Sequence, residues 1–273
     1  MSAFLDRSLQ EFVEAVSRPD GEIDIARAAL VASKFERADL EIESILESLN
    51  ALAARVVIRA GGSSDPIEQV EALVGVVLRD FGLKGNRRRY DDPRNSLLHC
   101  VLERKLGIPV SIGIVCLGVA DRAGAPLAGT ALPMHFVVRV LGVRPARFID
   151  VFNGGRMLDA ESCLQAVERM SNGALRLDDR ALQPVSNVAV LARMLTNLKL
   201  VYITTRNFDR AAATLDRLLV LNPLEPSLMR ERGLVRYRLG QSDLARGDLQ
   251  HYLDRNLDAD DAPKIRELLR RLS

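Results

Sequence analysis

The chain has 273 residues, 48% of them hydrophobic, and a formal net charge of +2. That length allows one large domain or two ordinary ones, with enough apolar material for a substantial core. A charge so near zero supplies no field for nucleic acid or an anionic membrane. With aromatic residues at 4% and no Trp, Leu, Val, Ile and Ala must do most of the packing.

Residues 3–81 read as helical. Phe4, Leu5, Leu9, Phe12 and Val13 keep helical spacing, and "DIARAALVASKF" and "ADLEIESILESLNALAARVVIRA" continue it. "GGSSDP" (61–66) is loop chemistry; Asp65-Pro66 predicts the start of a helix that stops at Gly82. A polar loop then carries Arg87-Arg88-Arg89. Asp91 and Asp92 follow at once, so the triplet reads as a solvated or salt-bridged surface rather than a phosphate patch. "SLLHCVLERKLG" (96–107) predicts a helix with Asn95 or Ser96 as N-cap and Gly107 as its stop.

Ile108-Pro109 forces an extended step. Ser111 is then the candidate N-cap of a helix that runs to about Ala123 and is apolar nearly all round, a pattern that belongs at the centre of a domain. The most apolar run, Ile108 to Ala120, is shorter than the roughly 20 residues of a membrane span. The N-terminus lacks a basic start followed by an apolar stretch, so no secretory signal is expected. Cys100, Cys116 and Cys163 are an odd number without CxxC, which predicts free thiols in a reducing cytoplasm. His99, His135 and His251 are unclustered and no HExxH occurs, so no metal site is expected. Gly113 and Gly118 have P-loop spacing, but Val119 stands where that loop needs Lys, and no GxGxxG is present; no cofactor is expected.

The period changes after Gly124. "HFVVRVL" (135–141) and "RFIDVF" (147–152) read as two strands, with Phe136, Val138 and Val140 on one face of the first and His135, Val137 and Arg139 on the other. "NGG" (153–155) is a turn, and a helix spans about 160–170. Residues 187–205 read as one helix, after which "NFDRAAATLDRLLVLNP" (207–223) aligns with "QSDLARGDLQHYLDRNL" (241–257) at an offset of 34. That period of helix pairs is the tetratricopeptide signature, with Gly233 and Pro223 where it takes a small residue and a helix stop; His251 reads as a surface residue of it.

Ser111, His135 and Asp150 form the constellation that could carry chemistry. A helix start favours a developing anion. An antiparallel hairpin would bring the start of one strand beside the end of the next, so Asp150 could orient His135, and His135 could activate a nucleophile at the helix start. Around these residues "YDDPRNSLLHCVLERKLGIPVSI" (90–112), "PMHFVVRV" (133–140) and "IDVFNGGRML" (149–158) resemble the transglutaminase-like core of papain-type Cys-His-Asp enzymes. With the repeat tail, the chain resembles the bacterial SirB-type proteins over nearly its whole length.

The resemblance implies an α+β, mostly helical fold: a papain/transglutaminase-like core with a small antiparallel sheet over residues 1–180, and helical repeat pairs over 181–273. It also places Ser111 where such enzymes have their nucleophilic Cys. A thiol can be made a thiolate by a neighbouring His, whereas a hydroxyl needs a base during the attack itself. The expectation is a non-catalytic, cytoplasmic protein that binds a peptide or protein partner; the alternative is a hydrolase or acyltransferase using Ser111, His135 and Asp150. Oligomeric state is not read. Cys116, a turn and a half into its helix, is either a small core residue or a third candidate nucleophile, and Cys163 reads as packing. Asn95, Glu103 and Asn153 are candidate cleft residues, with Asn95 also a cap, Glu103 also a solvated helix charge and Asn153 also a turn residue.

Overall fold

The computed structural model describes residues 2–256 and 259–272. Leu257, the end of the second repeat segment, and the side chains of Phe4 and Leu5 lie outside what is described. The chain divides into two compact units, residues 14–194 and residues 1–13 with 195–273.

In the first unit, helix α1 (Ser2–Val16) contributes only its last residues, and α2 (Ile25–Ala32), α3 (Ile42–Ala60) and α4 (Pro66–Val74) follow. The starts of α2 and α4 are specified locally: Asp24 Oδ1 accepts from the Arg27 N–H, and Asp65 Oδ1 from that of Ile67, with Pro66 at the first helical position. A π-helical stretch extends α4 to Asp80 before Gly82 turns the chain at a φ of +82°.

Residues Lys84–Gly85 (β1) pair in parallel with Leu106–Gly107 (β2), on either side of α5 (Leu98–Arg104). The α5 helix is shorter than its sequence predicts: Lys105, in the left-handed region at a φ of 56°, ends it ahead of Gly107, and Leu97 rather than Asn95 or Ser96 precedes its first turn.

Helix α6 (Pro109–Ala123) is buried along its length through Ala120. Two glycines let neighbours approach it: a Cβ on Gly113 would lie 2.3 Å from the Phe136 ring, and one on Gly118 2.8 Å from the Ala26 Cβ. The spacing that mimics a phosphate loop is therefore a packing device. A four-stranded antiparallel sheet, β3 (Leu127–Leu132), β4 (His135–Val140), β5 (Arg147–Asp150) and β6 (Arg156–Leu158), stands in chain order beside it. Phe136 faces α6. Val137, on the opposite face, packs with Phe148, Leu158, Cys163 and Val167, so the helix α7 (Ala160–Met170) covers that side.

The segment 181–194, expected in the repeat domain, belongs to this unit. Leu182 joins the α7-side core, the Val185 N–H donates to the Gly129 carbonyl, and Asn187 donates to Asp20 Oδ2. Helix α8 (Asn187–Thr204) passes from the first unit to the second at residue 195.

The second unit continues with α9 (Phe208–Leu221), α10 (Pro226–Arg238), α11 (Ser242–Arg255) and α12 (Ala262–Arg271). Leu249 occupies the space a Gly233 Cβ would need, at 2.7 Å, which explains the small residue of the repeat. Arg217 is buried and donates to the Ala213 carbonyl and the Ser8 hydroxyl. His251 is exposed.

Candidate functional site

The hairpin of β4 and β5 brings His135 and Asp150 together, with His135 Nε2 3.5 Å from Asp150 Oδ2. Both leave the sheet on the Val137 face, since residues alternate along a strand and registered partners share a face. Asp150 is further held by Asn153, whose Nδ2 donates to Oδ2 at 2.6 Å and whose N–H donates to Oδ1 at 3.1 Å. Burial pushes its carboxyl pKa upward, but the adjacent His135 imidazole and the hydrogen bonds from Asn153 outweigh that and hold it below the usual range. Asn153 in turn accepts from Arg87, whose guanidinium also lies over the Phe152 ring. One arginine of the triplet thus reaches the site through Asn153 while staying exposed, on what the sequence reads as a solvated or salt-bridged surface.

The structure does not bring Ser111 to this pair. Helix α6 begins at Pro109 with Ile108 in extended conformation before it, so Ser111 is its third residue rather than its N-cap. Its hydroxyl donates to the Asn95 carbonyl at 2.5 Å, lies 3.1 Å from that of Ile108, and accepts from the Ile108 N–H at 3.1 Å. The residue is fully buried, on the helix that covers the Phe136 face, while His135 belongs to the other face. Among the described residues no hydrogen bond joins Ser111 to His135.

The other candidates separate as well. Asn95 is fully buried and no cap: its Nδ2 donates to the Arg89 and Tyr90 carbonyls, and its Oδ1 accepts from Asn86. It holds the arginine loop to the start of α6. Glu103 is exposed and lines a different cavity of about 480 Å³ with Arg37 and His99.

Cys116 is buried in α6, which pushes its thiol up to about 12; Cys163 is pushed up to about 12 by burial and then by Asp150 and Asp159. At pH 7 a thiol titrating near 12 is thiolate in roughly one molecule in 10⁵. Iodoacetamide on the folded protein at neutral pH is therefore expected to leave Cys116 unmodified, while unfolding in urea opens it; peptide mass spectrometry reads both.

The His135–Asp150 pair opens on a cavity of about 430 Å³ walled by Asn153, Arg156 and Leu158 from the sheet side and by one face of α7. This wall escaped the sequence reading. The α7 stripe is visible in "SCLQAVERM", but which sheet face it covers is not. No group of three or more His, Cys, Asp or Glu residues that could hold a metal occurs among the described residues.

Comparison with known proteins agrees with this architecture. The family model for the transglutaminase-like superfamily matches residues 43–196, and that for the tetratricopeptide repeat matches residues 198–270. A UPF0162 protein of Xylella fastidiosa is 37% identical over 245 residues, covering 86% of this chain and 84% of that protein. Protein SirB1 of Salmonella typhimurium is 24% identical over 82% of this chain and 84% of its own length. F-box only protein 21 of Mus musculus is 32% identical over 60% of this chain, which corresponds to 28% of that longer protein. A buried helix, the sheet beside it, the repeat unit that follows and these matches have one explanation: the chain belongs to the SirB1 and UPF0162 family, in which a transglutaminase-like core is joined to tetratricopeptide repeats.

Proposed function

We propose that this protein binds a peptide or protein partner and performs no covalent catalysis of its own. The observation that carries the reading is Ser111: the residue that the resemblance matches to the superfamily's nucleophilic thiol has its hydroxyl buried and bonded to main chain at Asn95 and Ile108. Attack would require that hydroxyl to leave these partners, reach solvent and meet His135 within hydrogen-bond distance, about 2.6–3.2 Å. His135 and Asp150 serve in this reading as polar groups of a binding cleft. The repeat unit supplies a second surface, because stacked helix pairs present concave faces to partners. The three free cysteines fit a reducing cytoplasm, and among the described residues no helix is long and apolar enough to cross a membrane.

The second reading, a hydrolase or acyltransferase using Ser111, His135 and Asp150, is favoured by the His135–Asp150 contact alone. A fluorophosphonate probe decides between them. The folded protein is expected to remain unlabelled, like its Ser111→Ala variant; labelling that Ser111→Ala abolishes would establish the hydrolase.

A further inference from the structure

The cavity beside His135 carries a positive charge that the protein leaves uncompensated. Arg156 stands opposite Asp150 in the β5–β6 ladder, so both side chains leave the sheet on one face, close enough for an ion pair to be the ordinary outcome. It does not form; Asp150 meets His135 and Asn153 instead. Arg169 faces the same cavity from α7. Among the described residues neither arginine has an ion-pair or hydrogen-bond partner for its side chain, and Asp150 is the single carboxylate on the cavity wall. Among the arginine and carboxylate side chains of the wall, two guanidiniums and one carboxylate sum to +1.

The rest of the wall narrows the ligand. Ser162, Gln165, Ala166, Arg169 and Met170 recur at three and four, so a single face of α7 offers hydroxyl, amide, apolar and cationic groups together. Leu158 adds apolar surface from the sheet. The volume of about 430 Å³ falls within the range of about 300–1,000 Å³ usual for small-ligand sites. A wall at +1 balances a monoanion; a phosphate ester, at about −1.5 to −2, would exceed it.

We propose that this cavity binds the C-terminal carboxylate of a peptide chain, held by Arg156 and Arg169, with its last side chain against Leu158, Ala166 and Met170. This deepens the peptide-binding reading and rests on it. Arginine suits the task because its planar fork matches a carboxylate and is always charged.

The test is NMR of the arginine Nε–H groups in the full chain, titrated with N-acetyl-Ala-Ala-Leu as free acid and as C-terminal amide. The free acid is expected to shift Arg156 and Arg169 saturably, and the amide to bind at least about tenfold more weakly. Arg156→Gln and Arg169→Gln should each weaken the acid similarly, while Arg206→Gln, in the repeat unit, should not. Both cavity arginines are exposed, so neither substitution threatens folding. Equal binding of acid and amide would remove the carboxylate from the proposal and leave the peptide reading standing. N-acetylleucine binding as tightly as the tripeptide, or inorganic phosphate binding more tightly, would overturn the peptide terminus. Absence of any shift at millimolar probe would overturn the site, whereas the fluorophosphonate result judges the non-catalytic reading separately.

Discussion

Replacing Asn95 with Ala is expected to cost about 3–5 kcal/mol, more than any change in the His135 cavity, although Asn95 touches no part of that cavity. The side chain is fully buried and serves four partners, Asn86, the carbonyls of Arg89 and Tyr90, and Arg104 Nη1 at 3.4 Å. Removing it strands the buried amide of Asn86, at a cost of about 1–3 kcal/mol, and takes the donor from the part-buried carbonyls of Arg89 and Tyr90. No larger side chain replaces the contacts, so a void adds to the loss. Asn95→Asp keeps an acceptor for Asn86 but donates nothing to the two carbonyls, and should fall between wild type and Ala. The urea midpoint reads stability. The Arg87 Nε–H resonance reads the second consequence, that the loop carrying Arg87 loses its fixed approach to Asn153. A loss under about 1 kcal/mol for Asn95→Ala would show that water satisfies those groups and that the loop is not anchored here.

How much of this was legible in the sequence depends on the reach of the interactions. The pairing of His135 with Asp150 was, because strand alternation and hairpin direction fix which ends meet. So was α7, bounded by its cap at Asp159, whose Oδ1 accepts from the Ser162 N–H. Ser111 was misplaced by three positions: proline favours the first position of a helix, so Ile108 is the N-cap, Pro109 starts α6 and Ser111 lies inside it. That small shift matters, since the hydroxyl bonds back to the Ile108 main chain and across to the Asn95 carbonyl instead of capping the N–H groups of the first turn. β3 and β6 were missed because "LAGTAL" is rich in small residues with weak strand preference and "RML" is too short for a period. The link from Arg87 to Asn153 spans 66 positions and leaves no local trace in either segment. The domain boundary moved for a similar reason: residues 181–194 adhere to the core through Asp20 and Gly129, partners far away in sequence.

Asp248→Ala is the second large expected effect, a loss of about 3 kcal/mol in the repeat unit. Asp248 on α11 is 7% exposed and takes Arg232 Nη2 at 2.6 Å, Arg232 Nε at 2.9 Å and Arg236 Nη1 at 2.8 Å. Asp216 on α9 takes Arg232 Nη1 at 2.8 Å and Arg236 Nη2 at 3.1 Å. Two arginines of α10 are thus clamped between the helices on either side. Hydrogen bonding and charge from Asp248 and Asp216 outweigh the burial that would lower the Arg232 pKa, and raise it instead. Without Asp248, two half-buried guanidiniums face one carboxylate. Their partial access to water lets them rehydrate, which keeps the loss at the lower end of the range of about 3–5 kcal/mol for breaking a buried pair. Asp216→Ala should cost less, because Asp216 is more exposed and makes fewer bonds to the arginines. The double variant should lose more than the sum of the two singles, since either carboxylate alone still partners the arginines and only loss of both leaves them without one. Urea denaturation of the four proteins closes the cycle, and strict additivity would show that the two aspartates act independently.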